Sequence, residues 1–454
     1  MKRKAERTIT LRRAVASKGF FEPHFSHGAR RFMLTLGTAY LTLFERVKSV
    51  SIRHEDVLVD SFERFFSGER RLIIAFRHVA KEDAPVMMYA FGKKLKNEVR
   101  QRNRTKHKSQ HIITHAVFLY AKDVLNWAGS ITKWLFPRIG CIPVQNGGTN
   151  RNGLQFLRKE VKEGNFPIAL APEGQVTYHM YRSHPIQPGI ATLAAWATES
   201  HKGVDILPIA IGYRYDNDPE RFIRMLMHRW ESESGLILSD SDNAPILSLL
   251  LEAQLKTIEL LEQFYMITHA DELPTPRKRI LNICDKALHH GEQLAKKRGE
   301  GSIIERLFRI RNSAEEAVYP EHIEPQKLPF LGRSMADFRA LEAQVYLRHS
   351  QIVDVLEYID ESYIAAPCSA GRACEFALNL LDVFNRISGG NVDSRFTPKS
   401  KAAIINIGEP VQVEHPEGRF GKEQLKAITS QVEHALESVC ADLENCWESI
   451  VFES

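Results

Sequence analysis

The chain has 454 residues, which is long for one compact domain, and its 43% apolar content is ample for buried cores. These values predict a globular protein of two or three units. The formal charge of +5 is small, so a partner selected by charge must be recognised through a local patch. Six widely spread cysteines without a C-x-x-C pair indicate neither a zinc site nor a disulfide framework, and they fit a reducing compartment.

The N-terminal segment, residues 1–56, is basic and apolar. No apolar stretch directly follows its basic start, which argues against a cleaved signal peptide. The run FMLTLGTAYLTLF at 32–44 is too short to cross a bilayer of about 30 Å as a helix. It is compatible with a helix in the membrane interface or with an ordinary buried helix. The first alternative would place this segment against a membrane.

Between residues 57 and 215, short apolar runs alternate with amphipathic stretches. This pattern is typical of an α/β domain with a largely parallel sheet. The runs predicted as strands are RLIIAF, HIITHAVF, GCIPV, FPIALAP and DILPIAIGY.

Two stretches inside this region could face a charged or lipid surface. Residues 93–108 carry eight Lys or Arg against one Glu, a density suited to the phosphates of nucleic acid or of an anionic membrane. A solvated loop is the alternative. The stretch 118–136 is aromatic-rich, and a helix there would suit the bilayer interface or a protein core. The aromatic residues considered for the interface, next to basic residues, are Tyr120, Trp127, Trp134 and Phe136.

From about residue 218 apolar residues recur at three-and-four spacing, which predicts an all-helical segment. A strand-like apolar pattern returns at 402 in AAIINIGEPVQV, and a last amphipathic helix follows it. A lone strand needs neighbours, so we expect it to join the first sheet. The predicted fold is a three-layer α/β/α domain with a mostly parallel central sheet, comprising 57–217 plus 399–454. A large all-helical insertion, 218–398, interrupts it.

His78 and Asp83 are the first candidates for chemistry. They lie in FRHVAKEDAP, between a predicted buried strand and a predicted helix start, where catalytic groups concentrate. The alternative is that Asp83 only caps the helix while His78 fills space. The same spacing recurs at His349 and Asp354, but positions five apart on a helix lie about 140° apart around its axis. That second pair therefore cannot easily cooperate.

Three further sequence blocks follow in order: GCIPVQNGG (140–148), APEG (171–174) and DILPIAIGY (205–213). Together with RHVAKED they resemble the four blocks of the PlsC-type glycerolipid acyltransferases. IGEPVQV (407–413) also resembles the strand that soon follows the fourth block in that family. The resemblance covers about 200 residues, split around the helical segment.

The resemblance implies transfer of a fatty acyl group from a thioester, acyl-CoA or acyl-carrier protein, to a hydroxyl of a glycerolipid-type acceptor. A neutral imidazole is a suitable base near neutral pH, and a carboxylate on its other nitrogen fixes the tautomer. By the resemblance His78 is the base and Asp83 its partner. The implied acceptor-binding residues are Pro172, Glu173, Gly174, Asn146 and Arg151.

The implied partners are the thioester donor, a lipid or lysolipid acceptor and an anionic membrane surface, with no metal or bound cofactor. The implied location is the cytoplasmic face of a membrane, peripheral or monotopic. The chain departs from the family at Gln175-Val176, where Thr-Arg is usual, and at Gln145-Asn146, where an Arg is common. Two cations suited to phosphate are thus missing, with Arg151 and Arg182 as candidate replacements.

Two other function classes compete with acyl transfer. A non-catalytic lipid- or partner-binding protein would use the helical segment and keep the α/β domain as a scaffold. The presence of His78, Asp83, Glu173 and Gly174 favours the enzyme. Nucleic-acid binding through 93–108 lacks a recognisable module, so we expect no nucleic-acid partner.

Overall fold

The structure is a computed structural model that describes residues 13–17, 21–105, 112–122, 124–127, 129–144, 151–215, 217–269 and 273–453. Within these residues eight strands form the main sheet, and helices cover both of its faces. This is the predicted α/β class with a mostly parallel central sheet, which is therefore confirmed.

The first half of the chain alternates helices and strands. In chain order they are α1 (His27–Leu43), β1 (Val47–Arg53), α2 (Glu55–Phe66), β2 (Arg70–Phe76), α3 (Asp83–Tyr89), α4 (Lys96–Thr105), β3 (Val117–Ala121), α5 (Val124–Trp127), α6 (Gly129–Arg138), β4 (Ile142–Val144), α7 (Arg151–Glu163), β5 (Ile168–Leu170), α8 (Gly189–Thr198) and β6 (Gly203–Arg214). A π-helical stretch, Ala90–Leu95, joins α3 to α4.

The second half is helical until the sheet resumes. Its elements are α9 (Pro219–Ser234), α10 (Ile246–Phe264), α11 (Pro276–Ala295), α12 (Ile303–Val318), α13 (Phe330–Leu356), β7 (Cys368–Ser369), α14 (Ala370–Ile387), β8 (Lys401–Ile407), β9 (Val411–Val413), α15 (Lys422–Trp447) and β10 (Val451–Phe452). Local signals set several starts: Asp218 and Thr275 cap α9 and α11 just before a proline, and Ser302 forms a capping box with Glu305.

The main sheet has the strand order β1-β8-β6-β2-β5-β3-β4. The strands from β6 to β4 run parallel to one another, whereas β8 and β1 run the opposite way, since β8 pairs antiparallel with β6 and parallel with β1. β9 also pairs antiparallel with β6, next to β8 along the same edge. The strand after the helical region thus lies inside the sheet.

A proline and a glycine mark the junction between β8 and β9. Pro208 lies within β6 between the residues that pair with β8 and those that pair with β9. Proline has no backbone N–H, and here none is needed, because the side of β6 that faces β8 and β9 has no ladder partner at this position. Gly408 directly follows β8 and donates its N–H to the Pro208 carbonyl at 2.9 Å. A Cβ at Gly408 would lie 2.9 Å from Pro208 Cγ, so the close approach requires glycine.

Three buried clusters form the interior. Two lie on opposite faces of the sheet, and α15 contributes to both through its two ends: Val432 and Leu436 on one face, Val439 and Leu443 on the other. The third cluster is built mainly from α9 to α14, so the helical region has a core of its own.

The helical region leaves and rejoins the sheet at one place. Arg214, the last residue of β6, pairs directly with Ala402 in β8. The Lys401 amide also donates to the Arg46 carbonyl at 2.8 Å. The division into 57–217 plus 399–454 around 218–398 stays a prediction about independent units.

Three local predictions differ from the structure. The strand predicted at HIITHAVF begins only at Val117, where its partner strand β5 becomes available. The stretch 118–136 is not one helix, because Tyr120 lies on β3 whereas Trp134 and Phe136 lie on α6. β1 was not predicted at all, because only two of its seven residues are buried and its sequence gives a weak strand signal.

Candidate active site

His78 lies at the carboxyl edge of the parallel strands, two residues after the end of β2. The run Leu72–Ala75 is buried on both faces of the sheet. This burial fixes the position of β2 in the core, and with it the point at which the strand ends. Clefts at the carboxyl ends of parallel strands are where such folds bind ligands. The short connection 77–82 then leads into α3.

The imidazole of His78 and the carboxylate of Asp83 are in direct contact. His78 Nδ1 lies 2.9 Å from Asp83 Oδ2. Asp83 is fully buried, whereas the His78 side chain is 27% exposed. His78 therefore presents its other nitrogen, Nε2, for contact with a substrate while Asp83 stays behind it.

Asp83 is held by the turn that it starts. Its Oδ2 also accepts the backbone N–H groups of Val79, at 2.7 Å, and Ala80, at 2.9 Å. Its Oδ1 accepts the hydroxyl of Tyr213 at 2.6 Å. Both carboxylate oxygens thus have hydrogen-bond donors, which fixes the side chain that faces the imidazole.

Opposing effects act on the charge of His78. Burial lowers the pKa of His78, but the hydrogen bond and charge of Asp83, with smaller contributions from Glu173 and Glu82, outweigh it and raise the pKa above its ordinary value. The ring therefore binds a proton more readily than a free histidine does.

The second predicted element, Ala171-Pro172-Glu173-Gly174, is a tight turn after β5. The Gly174 amide donates to the Ala171 carbonyl at 3.1 Å, and Gly174 has φ +78°, a left-handed conformation that favours glycine. The Pro172 carbonyl accepts the amide N–H of Gln187 at 2.7 Å, which closes the loop that follows the turn.

The carboxylate of Glu173 faces the protein. Glu173 is only 1% exposed; its Oε1 accepts from Arg77 Nε, and its Oε2 accepts the His78 backbone N–H at 3.2 Å. In this conformation it holds the backbone that carries the imidazole. Its predicted contact with an acceptor stays a prediction.

Arg77 is a buried cation that joins the connection 77–82 to the turn 171–174. Burial lowers its pKa, but the carboxylate of Glu173 more than compensates, so that the pKa of Arg77 is raised and the guanidinium stays charged. It also donates to Thr177 Oγ1 at 2.9 Å and to the Arg182 carbonyl at 2.6 Å. Arg77 thereby ties the loop after β5 to the connection that bears His78.

The helical region holds the outer side of the same loop. The Met180 amide donates to both oxygens of Glu375, at 3.1 and 2.9 Å, and Arg386 donates to the Tyr178 hydroxyl at 2.6 Å. His179 Nε2 lies 3.0 Å from the Tyr358 carbonyl. The loop is thus fixed between Arg77 on the sheet side and the helices on the other.

The remaining predicted residues lie elsewhere or outside the description. Asn146 is outside the described residues. Arg151 begins α7, and its side chain is not among the described parts. Arg182 pairs with Asp360 at 3.1 Å, which leaves its use as a phosphate-binding cation a prediction.

The second histidine–aspartate pair behaves differently from the first. His349 Nδ1 lies 3.0 Å from the Tyr265 hydroxyl, whereas Asp354 pairs with Arg311 and Arg386. Both residues lie on α13 and contact different partners, as their angular separation on a helix predicts.

Sequence reasoning missed two residues of this site, Arg77 and Tyr213. Each had a usable signal. Arg77 is a charged residue directly after a strand that is buried on both faces, and such a charge must find a partner. Tyr213 ends the apolar run of the fourth block, where a buried hydroxyl likewise needs a partner.

Comparison with known families bears on this geometry. Residues 52–212 match the family model Acyltransferase. This segment is an acyltransferase domain. The match contains His78, Asp83, the turn at 171–174 and all but the last two residues of β6, so the predicted family is confirmed and the protein is a transferase of acyl groups. No curated protein matches the chain.

Two features are absent from the described residues. No helix among them is long and apolar enough to cross a membrane. They also contain no group of three or more His, Cys, Asp or Glu side chains placed to hold a metal ion.

Proposed function

We propose that the protein transfers a fatty acyl group from a thioester donor, acyl-CoA or acyl-carrier protein, to a hydroxyl of a glycerolipid-type acceptor, with His78 as general base and Asp83 as its orienting partner. The observation that carries this proposal is the 2.9 Å contact between His78 Nδ1 and the buried Asp83, at the carboxyl edge of an acyltransferase-domain sheet.

The proposed reaction needs one proton relay. With Nδ1–H donated to Asp83, the lone pair of Nε2 accepts the proton of the acceptor hydroxyl as its oxygen attacks the thioester carbonyl. A C–O bond forms and the C–S bond breaks. The imidazolium, stabilised by Asp83, then returns the proton to the leaving thiolate. The acceptor hydroxyl acts as nucleophile, so no serine is required.

The proposal extends to a membrane surface, because one helix presents apolar side chains outward. α1 packs its inner face on the π-helical stretch, where a Cβ at Gly92 would clash with Leu34 and where Lys93 donates to Thr38 at 2.7 Å. Its outer face joins α6 through the rings of Phe32 and Trp134, whose centroids are 5.3 Å apart. We call this surface the apolar patch; its exposed residues are Phe32, Leu36, Tyr40, Leu43, Phe44, Ile131 and Trp134.

Charge near the apolar patch favours an anionic bilayer as its occupant. Arg31 is exposed on α1. Lys94, near the end of the π-helical stretch, is also exposed, as are Lys96 and Arg100 on α4. Each basic residue close to an anionic membrane surface contributes roughly 1 kcal/mol. Not all of the polybasic stretch serves this purpose, because Arg102 pairs with Asp60 at 2.5 Å.

The test of the catalytic proposal uses the full chain with acyl-CoA or acyl-carrier protein and with lysolipid or glycerol-phosphate acceptors. Thiol release and acylated product are measured together. His78→Ala should lower the rate by about 10²–10⁴-fold while the protein remains folded, because it removes only the base. His349→Ala is the matched control and should be near neutral.

Two results would contradict the proposal. Wild-type turnover by purified, folded His78→Ala protein would remove His78 from the mechanism. Lipid binding by the wild-type chain with no thiol release from any donor would favour the non-catalytic binding protein instead.

A further inference from the structure

The hydroxyl of Tyr213 contacts the oxygen of Asp83 that His78 does not contact. Tyr213 is the next-to-last residue of β6 and is fully buried. Its hydroxyl lies 2.6 Å from Asp83 Oδ1, whereas Oδ2 accepts from the imidazole and from two backbone amides. The three side chains form one chain of hydrogen bonds from the strand to the imidazole.

We propose that Tyr213 is a positioning residue for acyl transfer, which fixes the plane of the Asp83 carboxylate so that Oδ2 stays directed at His78 Nδ1. The proposal rests on the proposed function of His78. An aspartate carboxylate has a broad torsional preference about its last bond, so donors on Oδ2 alone do not set its plane. A donor on Oδ1 does.

The backbone of Tyr213 is held both by the loop after β5 and by β8, the strand that follows the helical region. Its amide donates to Met180 Sδ at 2.8 Å, and its backbone pairs with Ala403 in β8. The buried Lys401 ammonium, which pairs with Glu82 beside Asp83, lies 5.7 Å from the centre of the Tyr213 ring. The strand that follows the helical region thereby supports the residue that orients Asp83.

Tyr213→Phe in the full chain tests the proposal. It should lower kcat roughly tenfold to a hundredfold, since a hydrogen bond to a charged group is lost, and leave KM for the acyl donor unchanged. The acid limb of the pH profile of kcat/KM should move to lower pH, because a carboxylate without a donor on Oδ1 is less well directed at His78 Nδ1 and raises the pKa of His78 less. Tyr215→Phe removes a hydroxyl two residues away that does not contact Asp83, and should match the wild type.

A double-mutant cycle separates positioning from packing. In the Asp83→Asn background, Tyr213→Phe should add little further loss, because the two side chains act as one unit. Full additivity of the two losses would overturn the proposal, and so would a lower rate with an unmoved acid limb.

A second variant covers the case in which Tyr213→Phe fails to fold. 3-Fluorotyrosine at position 213 keeps the ring and a hydroxyl that donates to Asp83 Oδ1, so kcat and the acid limb should stay at their wild-type values; a lower kcat or an acid limb moved to lower pH would overturn the proposal. If His78→Ala and Asp83→Asn lose activity while Tyr213→Phe equals the wild type, only this inference fails. If His78→Ala keeps full activity, the proposed function fails as well.

Discussion

The histidine–aspartate pair owes its geometry to a short loop between a buried strand and a helix. Asp83 is the first residue of α3, and its carboxylate accepts the N–H groups of two residues in the preceding turn. A negative charge is stabilised at the start of a helix. The same carboxylate contacts His78. Capping and orientation of the proposed base are thus two roles of one side chain, and the sequence alternatives for Asp83 are not exclusive.

The raised pKa of His78 gives a prediction with a definite sign. The proposed base works in its neutral form, so activity should be lost as pH falls through that pKa. Asp83→Asn removes the hydrogen bond and charge that raise the pKa of His78, while the lowering by burial remains. The acid limb of kcat/KM should therefore move to lower pH, and kcat should fall steeply because the imidazolium loses its partner.

The measurement is the pH dependence of kcat/KM for wild type and variant on the same donor and acceptor. A variant limb at the wild-type position would show that Asp83 does not set the pKa of the catalytic group.

Among the elements, α1 has apolar residues on its outer face as well as on its inner one. Leu34 packs against Gly92 of the π-helical stretch, whereas Phe32, Leu36 and Tyr40 point away from the core. The sequence left an interfacial helix and a buried helix as alternatives for 32–44. The structure gives a helix with one face in the core and one face exposed.

Substitution on the apolar patch tests its proposed contact with a bilayer. Leu36→Glu should weaken binding to anionic vesicles roughly tenfold or more, because it removes a leucine that would be buried in lipid and adds a negative charge. Leu294→Glu on α11 is the matched control, since the two leucines are 50% and 53% exposed. Cosedimentation at several salt concentrations is the measurement.

Binding by the wild type should also weaken as salt rises, because salt screens the attraction between anionic lipids and the exposed basic residues of α1 and of the segment 94–100. Equal binding to neutral and anionic vesicles, or equal loss in both glutamate variants, would count against this docking surface.

At the scale of the whole molecule, the chain after the helical region completes the sheet. β8 lies between β1 and β6, and α15 packs on both faces. Removal of this segment would leave the backbone groups of two strands without partners. The helical region also holds the loop after β5 through Glu375 and Arg386. The proposed site thus depends on three stretches of chain that are distant in sequence.

Truncation tests this dependence. A chain that ends at residue 398 should lose the cooperative melting of the acyltransferase part, whereas a chain that ends at 448 loses only β10, which pairs with β7, and should melt close to the wild type. Differential scanning calorimetry with circular dichroism provides the comparison. If 399–454 were a separate domain, the first truncation would leave the main transition unchanged.

Local sequence patterns are enough to predict the class of fold, the helical region and the position of His78 and Asp83. Each depends on local pattern: apolar runs buried on both faces predict β2, β5 and β6, and capping residues set the starts of α9 and α12. Residues five apart on one loop meet because the loop is short. The four sequence blocks pointed to the acyltransferase family, which the family match confirms.

The surroundings of that pair depend on long-range packing, which the sequence pattern does not show. The sequence gives only a weak signal for β1, because only two of its seven residues are buried, and β1 forms as a strand by pairing with β8. The inward direction of Glu173 depends on Arg77, which lies 96 residues earlier. Tyr213 reaches Asp83 across 130 residues. Such contacts follow from strand order, which long-range packing sets and local periodicity does not contain.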